Sequence, residues 1–375
     1  MKNIRMPLRP SSVNGVTGCR GWKSAASSPR QGIHSPVFLS AALLVAAAIS
    51  LPAAEAPLRV CATVPDLGDL VRIVGGEDVQ VTVFAKGGED PHRVEAKPSF
   101  IKALADADLF AMVGMELEVS WAPALLQNAR NAAVLQGGRG YLDVSNAIPP
   151  LELPTFAVDR SMGDVHPEGN PHYLLDPLNG LRVAALIRDK LAELRPSEKE
   201  RFAQRFAAFK KELGARLIGE SLAAKYDAEK LALLAEHGQL IEFLKAQGEE
   251  GLLGGWLGQL APHAGAKLVD DHNLWPYFAR RFGMHVIEHL EPKPGLPPTS
   301  KHLAAVLKRM KQEGVKAILA SPYYDTRHAD LIASQSGARV ARMCHQCGAL
   351  AKTDTYWEMV DYNVRTLASA LGDGQ

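Results

Sequence analysis

Three observations predict an α/β protein built of two similar halves. Short apolar runs alternate with helical patterns from residue 58 to about 194; the same alternation restarts in the last third of the chain; a long amphipathic helical pattern lies between them. In the first half the strands are expected at Arg59–Val64, Val79–Phe84 and Leu109–Gly114, with helices through Leu67–Val74 and Phe100–Ala105. Strands separated by helices are the signature of βαβ units and a parallel sheet. Phe100, Ala103, Leu104 and Ala107 recur at helical spacing after Pro98-Ser99, with the serine as the expected cap.

A helix opening at Asp176-Pro177 keeps Leu178, Leu181, Ala185, Leu186, Leu191 and Leu194 on one side until Pro196 interrupts it. Ser197-Glu198-Lys199-Glu200 then reads as a capping box, and Phe202, Phe206, Phe209, Leu213 and Leu217 follow at spacings of three and four. This second helix lies where one half hands over to the other, which suits an interdomain connection. Beyond it, strands are expected at Lys267–Asp271, Met284–Leu290, Val315–Ala320 and Ala338–Met343, between helices through Tyr277–Phe282, Lys301–Gln312 and Ala329–Gln335. Pro292, Pro294, Pro297 and Pro298 stiffen the connection before the capping pair Thr299-Ser300.

The chain has 375 residues, 47% hydrophobic and 22% charged, which suits folded domains and not a disordered chain. Its formal net charge of +1 is uneven. Residues 1–54 carry Lys2, Arg5, Arg9, Arg20, Lys23 and Arg30 and no acid, so the remainder stands at −5, against nucleic-acid binding. After that basic stretch, Val37–Leu51 is an apolar run of 15 residues followed by Pro52-Ala53-Ala54-Glu55-Ala56. A membrane-spanning helix needs about 20 apolar residues, so residues 1–56 read as a secretory signal region. Cys61 follows Leu58-Arg59-Val60 and not a lipobox, so a free periplasmic protein is expected.

Two histidines sit in similar settings, Gly87-Gly88-Glu89-Asp90-Pro91-His92 and Gly169-Asn170-Pro171-His172. A proline before each restricts the backbone, and a loop presents an imidazole to a cleft without taking it from the core. A third, His272, follows the apolar run Lys267–Asp271 at the carboxyl end of an expected strand, the place where open α/β sheets bind ligands. Three neutral nitrogens drawn from two domains suit Zn²⁺ better than Mn²⁺ or Ca²⁺.

These residues carry a resemblance. Gly88-Glu89-Asp90-Pro91-His92, Asn170-Pro171-His172 with Leu175-Asp176-Pro177, His272 ahead of Tyr277-Phe278-Ala279-Arg280, Glu291-Pro292-Lys293-Pro294-Gly295, and the terminal Tyr356–Leu371 helix with Asn363 resemble, in order, the zinc/manganese solute-binding proteins of ABC importers. The resemblance covers nearly all of residues 58–371. It implies two α/β lobes joined by one long rigid α-helix, a metal held between the lobes by His92, His172 and His272, and delivery to an ABC permease at the inner membrane. The expected layout is a signal region over 1–56, a first lobe over 57–194, the linking helix over 195–222 and a second lobe over 223–375, in a monomer.

Two departures stand out. The long His/acid-rich loop of many zinc members is replaced by a short stretch, 159–172, offering Asp164, His166 and Glu168. The fourth ligand, often an acid after the last strand, falls in Met343-Cys344-His345-Gln346-Cys347-Gly348. His345 is the expected choice there, with water, Cys344 or Asp325 as alternatives. Cys344 and Cys347 also form a C-x-x-C, open to a disulfide, a redox pair or soft metal ligation. The competing function is a secreted three-histidine zinc hydrolase, which the lack of H-E-x-x-H and of a nucleophile elbow disfavours.

Overall fold

The structure, a computed structural model, describes residues 55–158, 165–293 and 295–372. The secretory-type segment and Asp164 lie outside them. Two four-stranded sheets organise the chain. The first contains β1 (Leu58–Ala62), β2 (Val79–Val83), β3 (Leu109–Met112) and β4 (Tyr141–Asp143), ordered β2-β1-β3-β4. The second contains β5 (Lys267–Asp270), β6 (His285–His289), β7 (Ala317–Ala320) and β8 (Arg339–Arg342), ordered β6-β5-β7-β8. Every pairing is parallel. The inner strands read as near-continuous apolar runs because helices cover both faces, whereas β2 alternates as a strand with one partner does.

Helices α1 (Pro65–Gly75), α2 (Pro98–Ala105), α3 (Ala122–Ala129) and α4 (Pro177–Leu194) belong to the first half. The long α5 (Lys199–Ile218) follows, then the short α6 (Glu220–Ala223), α7 (Ala228–Glu236), α8 (Leu240–Gln247) and α9 (Gly255–Leu260). The last four are α10 (Pro276–Arg281), α11 (Ser300–Glu313), α12 (Thr326–Ser336) and α13 (Tyr356–Leu371). The two-lobed parallel α/β architecture with a long helix between the lobes is the one the sequence predicts.

Helix α5 packs on α1 and α4 of the first lobe and on α6, α7 and α9 of the second. Its buried Phe202, Phe209, Leu213 and Leu217 belong to one apolar cluster that runs from β1 and β3 to α10, β5 and β7. Buried polar bonds reinforce this continuity. Arg281 of α10 pairs with Asp176 at 2.8 and 2.9 Å, and Tyr356 of α13 donates to the Leu174 carbonyl at 2.7 Å. A side chain at Gly180 would collide with the Tyr356 ring, so glycine is required there for α4 and α13 to meet. A core shared by both lobes resists wide hinge motion, since separating them exposes apolar surface.

Three local readings differ. Pro196 starts a 3₁₀ turn, Pro196–Glu198, and α5 begins only at Lys199 with no side-chain cap; the Glu198 carboxylate pairs instead with Arg201 at 2.6 Å. Ser99 lies inside the first turn of α2 and not at its cap. Strand β4 was not expected, because three residues with one buried side chain leave no apolar run. Among the described residues, no helix is long and apolar enough to cross a membrane.

Candidate metal centre

His272 follows β5 by two residues and is 2% exposed. Its backbone N–H donates to Asp271 Oδ1 at 2.8 Å, and Asp271 Oδ2 accepts from the Ser321 N–H at 2.5 Å, tying the end of β5 to the end of β7. The ring Nδ1 lies 2.6 Å from Glu291 Oε2 and the ring stacks on Tyr324, centroids 5.1 Å apart. A carboxylate only accepts, so Nδ1 carries the proton and Nε2 keeps its lone pair. Parallel pairing explains the partner: Asp270 is opposite His289, and the Glu291 N–H bonds the Asp271 carbonyl, so His272 and Glu291 leave adjacent strand ends together.

His92 sits in the 3₁₀ turn Pro91–Arg93, 5% exposed. Asp90 Oδ1 accepts from the His92 backbone N–H at 2.9 Å and from Nδ1 at 2.8 Å, so one carboxylate caps the turn and orients the ring. Burial would raise the Asp90 pKa, but the hydrogen bonds and charge of His92 outweigh it and hold the carboxyl below its usual range. Trp121 Nε1 donates to the Pro91 carbonyl at 3.1 Å and Ser120 to that of His92.

His172 precedes the turn into α4. Its N–H donates to Asn170 Oδ1 at 2.9 Å, while Asn170 Nδ2 donates to the Asn273 carbonyl at 2.9 Å and to Glu152 Oε2 at 3.1 Å. One asparagine therefore fastens the His172 loop to the residue after His272. The rings of His92, His172 and His272 lie edge to face, with centroids 5.2 to 5.9 Å apart, and one nitrogen of each falls within 4.8 Å of the others. Burial first, then the neighbouring imidazoles, holds the His172 pKa well below the ordinary value, so this ring stays neutral and able to ligate. No carboxylate joins the group among the described residues, and three neutral nitrogens are a donor set for a borderline-soft cation.

His345 lies beside the group of three and not within it. Its Nε2 is 3.1 Å from the Glu89 carbonyl, and its Nδ1 is buried without a hydrogen-bond partner. Cys344 and Asp325 are outside the group as well. Asp325 is the exposed cap of α12, bonded to Arg327. Cys344 and Cys347 are buried free thiols; Cys344 contacts Thr353 Oγ1 at 3.2 Å and Cys347 donates to Asp66 Oδ1 at 3.1 Å. Burial raises both pKa values, which keeps the thiols protonated and poor nucleophiles.

Two contributors had not been singled out from sequence. Glu291 is the partner of His272, whereas Glu89 turns back to the Lys86 N–H and Asp271 serves backbone. Gln346 Nε2 contacts the carbonyls of Lys86, Gly87 and Glu89 at 2.8, 3.1 and 2.9 Å, bracing the loop that leads to His92. Gly87 lies so close to the Gly348 backbone that a Cβ would overlap it. Placing a strand-end residue beside its neighbour in a parallel pair points to Glu291; nothing in the sequence points to Gln346.

A family model described as periplasmic zinc-uptake complex component A matches residues 60–252 and 254–370. The manganese-binding lipoprotein MntA of Halalkalibacterium halodurans is 24% identical over 317 residues, 84% of this chain and 88% of that protein. The iron ABC transporter substrate-binding lipoprotein MtsA of Streptococcus pyogenes is 21% identical over 350 residues, 91% and 98% of the two chains. The crystal structure of ZnuA superposes with a TM-score of 0.61 at 22% identity, covering 84% of this chain and 100% of that one, a likeness of fold. Nothing among these relatives supports the hydrolase reading. A match over nearly all the described residues, on a fold with histidines gathered between two lobes, means that the chain belongs to the zinc-uptake complex component A family, substrate-binding proteins of metal ABC importers and not enzymes.

Proposed function

We propose that the cargo is a single Zn²⁺, bound by His92, His172 and His272 between a lobe spanning 57–194 and one spanning 223–375, with 195–222 as the link. The observation that carries this reading is the group of three histidine nitrogens within 4.8 Å of one another, two of them on rings whose far nitrogen bonds a carboxylate. That second layer fixes the tautomer and raises ligand basicity. Three nitrogens without a carboxylate oxygen favour zinc over manganese, even though relatives are named for manganese and iron. We propose a free monomer of the periplasm, exported by the segment before residue 57, that hands zinc to a permease of the inner membrane. Because one apolar core serves both lobes, release proceeds by movement of the ligand loops and not by wide lobe rotation.

The test is metal analysis of the purified mature chain with competitive titration of Zn²⁺, Mn²⁺ and Fe²⁺. One tight zinc per chain, with manganese and iron failing to displace it at comparable concentration, supports the reading; stronger retention of manganese or iron overturns the choice of cargo. Solution scattering with and without zinc checks release: a large change of lobe separation contradicts local loop movement.

A further inference from the structure

Three protein ligands leave one position on a tetrahedral zinc, and the proposed function does not fill it. Resting on that reading, we infer that His166 supplies the fourth nitrogen, on the short segment that leads into His172. His166 Nε2 lies 3.2 Å from His92 Nε2, and the two rings stack with centroids 5.2 Å apart and planes 26° from parallel. His92 Nε2 is the lone-pair nitrogen, because Nδ1 is bonded to Asp90. Two nitrogens bound to one tetrahedral zinc at about 2.0–2.1 Å stand about 3.3–3.4 Å apart. The observed separation therefore suits two imidazoles aimed at one ion.

The approach of His166 is built. Its ring hydrogen-bonds the backbone of Met115, in a turn where Met115 and Glu116 both have positive φ, 50° and 62°. Non-glycine residues held in that region are strained, so they persist where surrounding structure fixes them. The His166 carbonyl accepts from the Gly169 N–H at 3.3 Å, and Asn170 N–H from the same turn donates to Leu151 at 2.9 Å. His166 is on the His92 side and outside the mutual 4.8 Å group of the other three, so coordination requires it to move toward His172 and His272. His345 is the rival for the position: its Nε2 is bonded to the Glu89 carbonyl and its Nδ1 is buried without a partner, but the 3.2 Å approach to the lone-pair nitrogen of His92 belongs to His166. A site of four neutral nitrogens is softer than one closed by water or carboxylate, which makes His166 a determinant of zinc over manganese.

The experiment is X-ray absorption on the zinc-loaded chain with competitive zinc titration, for the wild type, His166→Ala, His345→Ala and His92→Ala, plus cobalt spectra of His166→Cys. Expected are four imidazole scatterers in the wild type and in His345→Ala, and three plus an oxygen in His166→Ala, with zinc affinity down about tenfold or more and a smaller margin over manganese. The folded His166→Cys chain should show a thiolate-to-cobalt charge-transfer band, which a residue outside the coordination sphere does not give. Unchanged scattering and affinity in His166→Ala, no charge-transfer band and loss of binding in His92→Ala overturn this inference and leave the three-histidine reading standing. A loss of one scatterer in His345→Ala but not in His166→Ala overturns it in favour of His345. Binding untouched by both His92→Ala and His166→Ala sinks the three-histidine reading as well.

Discussion

The two lobes share one sheet order yet contribute to the cleft in different ways. In the second, His272 stands two residues beyond the central strand β5, with its carboxylate partner just past the neighbouring β6. In the first, the corresponding central strand β1 runs into α1 almost at once, and the histidines come from loops: His92 well beyond β2, His172 at the start of α4. Strand ends locked by a ladder are stiff, whereas loops are held by whatever side chains reach them. The second lobe thus forms a fixed wall and the first an adjustable one, so metal exchange is expected to disturb the His92 and His172 loops before it disturbs β5.

The largest test of this contrast is removal of a ligand. His272→Ala is expected to weaken zinc by about a hundredfold or more, since structural zinc sites share roughly 10–16 kcal/mol among their ligands. His92→Ala should cost as much in competitive titration, but only His272→Ala should leave the loops of the first lobe unprotected in hydrogen exchange with zinc present, because it removes the wall they close on. Equal protection in both variants contradicts the contrast. Next come the orienting carboxylates. Glu291→Gln and Asp90→Asn are each expected to lose about 10–100-fold, with Glu291→Gln the greater: Asp90 and His92 share one short turn whose capping bond an asparagine still makes, whereas Glu291 also holds the Gly295 N–H at 3.0 Å. A larger loss for Asp90→Asn would place the stiffer support in the first lobe.

A smaller effect is expected at Gln346. Truncation to alanine removes the donor shared by three carbonyls ahead of His92 and should cost about 1–2 kcal/mol of stability. Zinc affinity should fall only a few-fold, with faster amide exchange over 86–92. If exchange there is unchanged, the Gln346 brace does not hold the loop.

The elements that could be read from sequence are those with a long periodic signal. The apolar runs of β1, β3, β5 and β7 and the helical repeat of α5 are each dictated by burial on a parallel sheet or between two lobes. The three loop and strand-end histidines were also legible, since proline-preceded loops and strand ends are where ligands are displayed. What escaped was the short edge strand β4, the local turn that replaces the expected capping box, and the surroundings of His345. That residue's place is decided by a bond to the carbonyl of Glu89, 256 positions away, which no local pattern encodes. The close approach of Gly87 to Gly348 brings those two loops together, and with them comes the amide of Gln346.

His345 also supplies the smallest effect at neutral pH and a definite one in acid. Burial first lowers its pKa from the ordinary 6.5 to about 4, with the Glu89 carbonyl opposing that shift. The folded chain therefore holds this ring neutral while the unfolded chain protonates it near 6.5. Its contribution is complete above that value and is lost as pH falls from about 6.5 toward about 4, at up to about 1.4 kcal/mol per pH unit. Glutamine retains a donor for the Glu89 carbonyl and does not titrate in this range. Metal-free His345→Gln should thus unfold in denaturant much as the wild type does at pH 7.5, and lose less stability than the wild type by pH 4.5. The acid limb should not vanish, because His166, held down to about 3 by burial and its histidine neighbours, adds loss of the same sign. Equal slopes in the two proteins would mean that burial does not hold His345 neutral in the folded chain.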